Sequence, residues 1–174
     1  DYVRQSPVMD QLFEPEDEMA VVDLAEGGNI NLIFRVHSTA DPQRSVLVKQ
    51  ALPYSRRYPD FKMPLSRARL EYDLLNLEEK YSPGLTPKVY HYDEGMYVNL
   101  MEDLNQHLIM RIGLSKGILY PRFARDTGRF MARTLFYTSD LYLSSAEKKT
   151  MVSRFSNPVL CKVTEDLFFN EPCK

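Results

Sequence analysis

Three short apolar segments near the start of the chain are joined by turns, and this order constrains the fold more than any other feature. The segments are AVVDLA (20–25), NLIFRVHS (31–38) and SVLVKQAL (45–52). Alternating apolar and polar residues are typical of β-strands, and the Gly-Asn stretch EGGN (26–29) is typical of a hairpin turn. The sequence therefore predicts an antiparallel meander of three strands.

A helix and two further strands are predicted after the meander. Residues 66–81 have helical spacing, with Ser66 as a plausible N-cap, and the Pro and Gly of SPGLTP end the helix. KVYHYDEG (88–95) and MYVNLMEDL (96–104) predict two more strands. We therefore expect an α+β arrangement, a five-stranded antiparallel sheet with one helix packed on it. The expected apolar stripe of the helix consists of Leu70, Leu74 and Leu77.

The second half of the chain is expected to be helical. Large apolar residues recur at helical spacing over residues 121–143, and EKKTMVSRFS (147–156) predicts a short helix. A further helix is predicted with Asn157 as its cap and Pro158 at its first position. The polar, glycine-bearing stretch between the two halves predicts a hinge or linker. The expected organisation is a first part at 1–104, a linker at 105–120 and a helical part at 121–174.

Composition argues against several classes of protein. The net charge is −2, so the chain lacks the basic excess of a nucleic-acid-binding protein. No apolar run approaches the roughly 18 residues that a membrane span needs. Two cysteines and three isolated histidines are too few for a disulfide framework or a metal cluster, which fits a reducing cytoplasm. Cys161 is expected to be a small buried apolar residue.

Two charged residues that follow the glycine turn indicate that it could bind phosphate. Gly27 and Gly28 would let backbone amides approach phosphate oxygens, although the turn is neither a Walker loop nor a dinucleotide fingerprint, because a strand follows it. Lys49 lies on the next strand and Glu71 on the helix after it. Each residue alone is ordinary, but this order matches the phosphate-binding lysine and its carboxylate partner in protein kinases. LMEDL (100–104) then lies where a kinase hinge would meet adenine.

Several motifs resemble one family, the methylthioribose kinases, in the small-molecule branch of the protein-kinase-like fold. The resemblance implies a kinase-like N-lobe followed by the first helices of a mainly helical C-lobe. It also implies ATP-dependent phosphorylation of the 1-hydroxyl of 5-methylthioribose in methionine salvage, with Mg²⁺ and a homodimer. The residues that carry it are EGGNINLIF, VKQALPY, MPLSRARLE and NLMEDL, with later support from HLIMRIGLSKGILYP, FMARTLFYTSDLYLS and NPVLCKVTEDLFFNEP.

The resemblance assigns roles to particular residues. Asn29 and Asn31 match the asparagine-rich turn of the family, and Asn31 is the better candidate for a nucleotide contact. Lys49 matches the phosphate-binding lysine, and Glu71 matches its helix partner. Leu104 would offer adenine an apolar surface and main-chain hydrogen bonds. The expected ATP-binding set is Gly27, Gly28, Asn29, Asn31, Lys49, Glu71, Glu102, Asp103 and Leu104.

The sequence departs from the family pattern in its catalytic parts. Family members are considerably longer, and they carry an H-G-D type catalytic loop and a later acidic metal-binding motif. Here the one H-x-D is His91-Tyr92-Asp93, which precedes the hinge and is expected to be a turn. We therefore assign no catalytic or metal-binding residue and expect the chain alone to be inactive. A truncated nucleotide-binding or interaction module, or another small-molecule kinase of the choline or aminoglycoside type, remains an alternative.

Overall fold

A five-stranded antiparallel sheet forms the first part of the protein, as predicted. The computed structural model describes residues 1–24, 30–56 and 58–170. The spatial order of the strands is β1-β2-β3-β5-β4, so the first three form a meander and β5 inserts between β3 and β4. The α+β architecture is consistent with the predicted kinase-like N-lobe. The strands are β1 (Met19–Asp23), β2 (Asn31–Ser38), β3 (Ser45–Ala51), β4 (Val89–Asp93) and β5 (Val98–Glu102).

The strand register divides the sheet into two chemically different faces. Directly paired residues share a face, and neighbours along a strand alternate between faces. Lys49 pairs with Ile33 on β2 and with Asn99 on β5. We call the face that carries Lys49 the inner face and the opposite one the outer face. The inner face holds Asn31, Ile33, Arg35, Leu47, Lys49, Ala51, Asn99 and Met101, and the outer face holds Phe34, Val36, Val46, Val48, Val98 and Leu100.

The N-terminal segment, residues 1–18, covers the outer face and closes the hydrophobic core. It contains a 3₁₀ turn (Val3–Gln5) and a short helix, α1 (Met9–Leu12). Its Val3, Val8 and Phe13 are buried in one cluster with four strand residues. Burial of apolar surface therefore holds this segment to the sheet. The strand residues of the cluster are Val36, Val46, Val98 and Leu100.

The predicted helix is present as α2 (Arg67–Tyr81) and packs on the inner face. Asn99 Nδ2 donates to the carbonyl of Ala68 at 2.9 Å. Ser66 occupies the N-cap position, but its side chain makes no capping hydrogen bond. The apolar stripe is only partly confirmed, because Leu74 is 44% exposed. The buried residues of α2 are instead Arg67, Ala68 and Asp73.

The second part is helical, as predicted. The stretch predicted as a linker contains a short helix, and a π-helical turn (Asp166–Asn170) follows the last helix. Asn157 Oδ1 accepts from the amide of Leu160 at 3.3 Å, and Pro158 lies in the first turn, which confirms the predicted cap. Cys161 is exposed, so its predicted burial was wrong. The helices are α3 (Met110–Ser115), α4 (Phe123–Tyr137), α5 (Ser145–Phe155) and α6 (Pro158–Glu165).

Helix α2 connects the sheet to the helical part. Arg154 on α5 donates to both carboxylate oxygens of Asp73 at 3.1 and 2.7 Å. The rings of Tyr81 and Tyr137 stack with centroids 4.9 Å apart. None of the helices in the described residues is long and apolar enough to cross a membrane.

Candidate functional site

Lys49, on the middle strand of the sheet, forms an ion pair with Glu71 of α2 on the inner face. Lys49 Nζ donates to Glu71 Oε1, and the two side chains are 22% and 33% exposed. The prediction that they approach within ion-pair reach is confirmed. The ion pair holds the lysine in place, and both side chains stay partly exposed.

The glycine turn that was predicted to face this lysine lies outside the described residues, and with it Gly27, Gly28 and Asn29. The strand after the turn is nevertheless defined. Asn31 begins β2 and pairs with Ala51, which places it on the inner face. Asn31 is therefore a diagonal neighbour of Lys49 on the paired strands, a relation in which the two residues typically lie about 7–8 Å apart.

Arg67 is a site residue that sequence reasoning missed. It is 6% exposed and donates to the carbonyl oxygens of Ile30, Leu52 (2.7 Å) and Pro64 (3.1 Å). It also donates to Asn31 Oδ1 at 3.0 Å. Burial lowers the pKa of Arg67 from its ordinary value, and the charge of Glu71 opposes this effect. One signal was available, since an arginine in the first turn of a helix opposes the helix dipole and so indicates a partner elsewhere.

The residues predicted as a hinge lie at the end of β5, and their side chains have structural partners. Asp103 is 3% exposed; it accepts from Arg35 at 2.6 and 3.2 Å and from Ser45 Oγ at 2.9 Å. Glu102 Oε2 accepts from the amide of Lys88 at 3.0 Å. Leu104 is exposed. The two carboxylates thus fix the segment, and Leu104 is the side chain left to meet a ligand.

His91-Tyr92-Asp93 lies on β4, so the expectation that it is a turn was wrong, and the turn follows it at residues 94–97. His91 pairs with Leu100 and Asp93 with Val98, so both lie on the outer face, away from Lys49. Asp93 accepts from Tyr2 Oη at 2.7 Å and from the amide of Met96 at 3.0 Å. These bonds lower the pKa of Asp93, and burial together with Asp93 raises the pKa of Tyr2. Asp93 therefore anchors the turn.

The described side chains are better suited to bind a negatively charged ligand than a metal ion. The inner face presents a lysine that Glu71 holds in place, with Asn31 as its diagonal neighbour, and a lysine ammonium is a compact point charge suited to phosphate. Within residues 1–24, 30–56 and 58–170, no three His, Cys, Asp or Glu side chains are grouped so that they could hold a metal ion.

Comparison with known proteins shows clear similarity to one group of enzymes. The chain is 44% identical to the methylthioribose kinase of Cronobacter sakazakii over 162 residues, which is 92% of this chain and 40% of that protein. It is 42% identical to that of Yersinia pseudotuberculosis over 173 residues, 99% of this chain and 41% of that protein. It is 46% identical to the methylthioribose kinase of Klebsiella pneumoniae over 146 residues, which is 83% of this chain and 36% of that protein. No family model matches the chain. The chain spans about two fifths of the length of these relatives.

Proposed function

We propose that this chain, which is similar to methylthioribose kinases over about two fifths of their length, supplies the ATP-binding part of such a kinase. The observation that carries the proposal is the Lys49–Glu71 ion pair on the inner face, beside Asn31. We further propose that the whole kinase phosphorylates the 1-hydroxyl of 5-methylthioribose in methionine salvage and is a cytoplasmic homodimer.

The proposed role of Lys49 follows from its charge and its support. Glu71 holds the ammonium in one position, so less conformational entropy is lost when a phosphate binds. Main-chain amides of Gly27 and Gly28 would approach the same phosphates, and Leu104 would contact adenine. Phosphoryl transfer depends mainly on positioning and on neutralising charge, and these residues would supply positioning and one of the positive charges.

Transfer itself needs parts that we do not assign to these 174 residues. Mg²⁺ would neutralise phosphate charge when bound, but the acidic groups of the described residues do not form a site that fits it. We place the metal ligands and the general base in sequence that the longer relatives possess. The 174-residue chain alone is therefore proposed to bind ATP weakly and to be inactive in transfer.

Replacing Lys49 tests the ATP-binding role. Lys49→Met should weaken ATP binding to the 174-residue chain roughly 10- to 100-fold, since hydrogen bonds to charged groups contribute about 1.5–3 kcal/mol. Equilibrium dialysis with labelled ATP up to millimolar concentration measures this. Lys149→Met, at an exposed position on α5, is the matched control. Thermal stability should change little, because partly exposed ion pairs contribute about 0–1 kcal/mol. Equal ATP affinity in both variants would contradict the proposal.

A further inference from the structure

The buried guanidinium of Arg67 contacts the segment that leaves the glycine turn. Its Nη2 donates both to the carbonyl of Ile30 and to Asn31 Oδ1, the latter at 3.0 Å. Its Nη1 donates to the carbonyls of Leu52 and Pro64, which follow β3 and precede α2. One side chain therefore fixes the start of β2 relative to the strand of Lys49 and the helix of Glu71.

The chemistry of the two side chains sets the orientation of the Asn31 amide. A guanidinium has donors only, whereas an asparagine amide has one accepting oxygen and a donating NH₂ group. The atom of Asn31 that faces Arg67 must therefore be Oδ1, and Nδ2 is turned away from it. A phosphate oxygen at neutral pH accepts hydrogen bonds, so a site for phosphate requires the NH₂ group of an asparagine rather than its oxygen.

We propose that Arg67 is a positioning residue that holds the Asn31 amide so that its NH₂ group donates to a phosphate oxygen of the bound nucleotide. The inference deepens the proposed function and rests on it. Asn31 and Lys49 are diagonal neighbours on the inner face, close enough for the phosphates of one nucleotide to contact both. Arg67 is nearly fully buried and acts only through Asn31 and the backbone, so it does not itself touch the nucleotide.

Asn31→Asp separates this role from a structural one. The aspartate is nearly isosteric and still accepts from Arg67, so the fold should keep its stability or gain some. The atom that faces the nucleotide becomes a charged oxygen, which repels phosphate. ATP affinity of the 174-residue chain should fall roughly tenfold or more, the loss expected for one charge-assisted hydrogen bond. Affinity for adenosine, which has no phosphate, should not change.

Arg67→Lys tests the positioning step, with Arg69→Lys as the matched control on an exposed arginine of the same helix. Lysine keeps the charge but lacks the planar fork, so the Asn31 amide should lose its fixed orientation. In ¹H–¹⁵N spectra, the Asn31 side-chain NH₂ signals, assigned by their absence in Asn31→Asp, should shift with ATP but not with adenosine. In Arg67→Lys the shift at saturation should be smaller and ATP affinity several-fold lower, with Arg69→Lys unchanged.

Different results would overturn different statements. If Lys49→Met weakens ATP binding but Asn31→Asp does not, the proposed function stands and the role of Asn31 and Arg67 is wrong. If Asn31→Asp or Arg67→Lys weakens adenosine and ATP binding equally, Arg67 has only a structural role and the inference fails. If ATP at millimolar concentration shifts no signals of the wild-type chain, both the inference and the proposed function are wrong.

Discussion

Asp103 shows how one carboxylate secures the segment after β5. It accepts two hydrogen bonds from Arg35 and one from Ser45, so its removal leaves a cation and a hydroxyl without their acceptor. Asp103→Ala should lower the free energy of unfolding by about 2–3 kcal/mol. Urea denaturation followed by circular dichroism measures this. Asp60→Ala, in an exposed loop, is the control, and equal stability of the two variants would show that the Asp103 pair is not structural.

Among individual residues, the sequence predicted the Lys49–Glu71 pair of the site but not the residues that support it. Lys49 and Glu71 were predicted because their order along the chain follows a known kinase pattern. Arg67 was not predicted, because three of its four acceptors belong to Ile30, Asn31 and Leu52, which are distant in sequence and mostly backbone. Asp103 was assigned to ATP binding, whereas its side chain is occupied by Arg35 and Ser45; its main-chain role stays a prediction.

Helix α2 has a second anchor besides the sheet. Asp73 is buried and its carboxylate is held by Arg154 of α5, two residues along α2 from Glu71. Arg154→Ala should destabilise the protein by about 1–2 kcal/mol, because the buried carboxylate loses two donors. Hydrogen–deuterium exchange of α2 amides should become faster. Arg133→Ala, at an exposed position on α4, serves as control. Unchanged exchange in Arg154→Ala would mean that the Arg154–Asp73 pair does not help to fix α2.

Element boundaries followed from local sequence more reliably than burial did. The strands are short apolar segments bounded by turns, and the helix α6 has its Asn157 cap and Pro158, so both were predictable from nearby residues. The leucine stripe of α2 and the burial of Cys161 were not, since burial depends on what packs against a face. Leu74 and Cys161 lie on faces that stay exposed among the described residues.

For the molecule as a whole, Asp17 makes the attachment of the N-terminal segment sensitive to acid. Hydrogen bonds from Ser38 and from the amide of Glu14, with the charge of Arg44, lower the pKa of Asp17 below its ordinary value of 3.8. A carboxylate with a depressed folded-state pKa stabilises the fold above its unfolded-state pKa, and this contribution is lost as the pH falls through the folded-state value.

Asp17→Asn should therefore be less stable than the wild type at pH 7, and the difference in unfolding free energy should shrink below about pH 4. Urea denaturation at several pH values measures the difference, in which the other titrating groups largely cancel. A difference that stays constant from pH 7 to the acid limit would show that the charge of Asp17 does not hold the N-terminal segment.

The N-terminal segment itself was not predicted as part of the core. Residues 1–18 show no helical or strand period, and their partners Val98 and Leu100 lie far along the chain. Such contacts arise from the sheet topology, which places β5 between β3 and β4, and a single sequence read locally does not reveal them.

This topology has a consequence for synthesis on the ribosome. Val3, Val8 and Phe13 are made before β5, yet the core that they enter also needs Val98 and Leu100 of this strand, which lies between β3 and β4. At a synthesis rate of roughly 5–20 residues per second, about 5–20 s pass between the synthesis of these apolar residues and that of the strand that completes the core. During this interval they are available to chaperones, and the first part of the protein can close only as a unit, after β5 has left the exit tunnel.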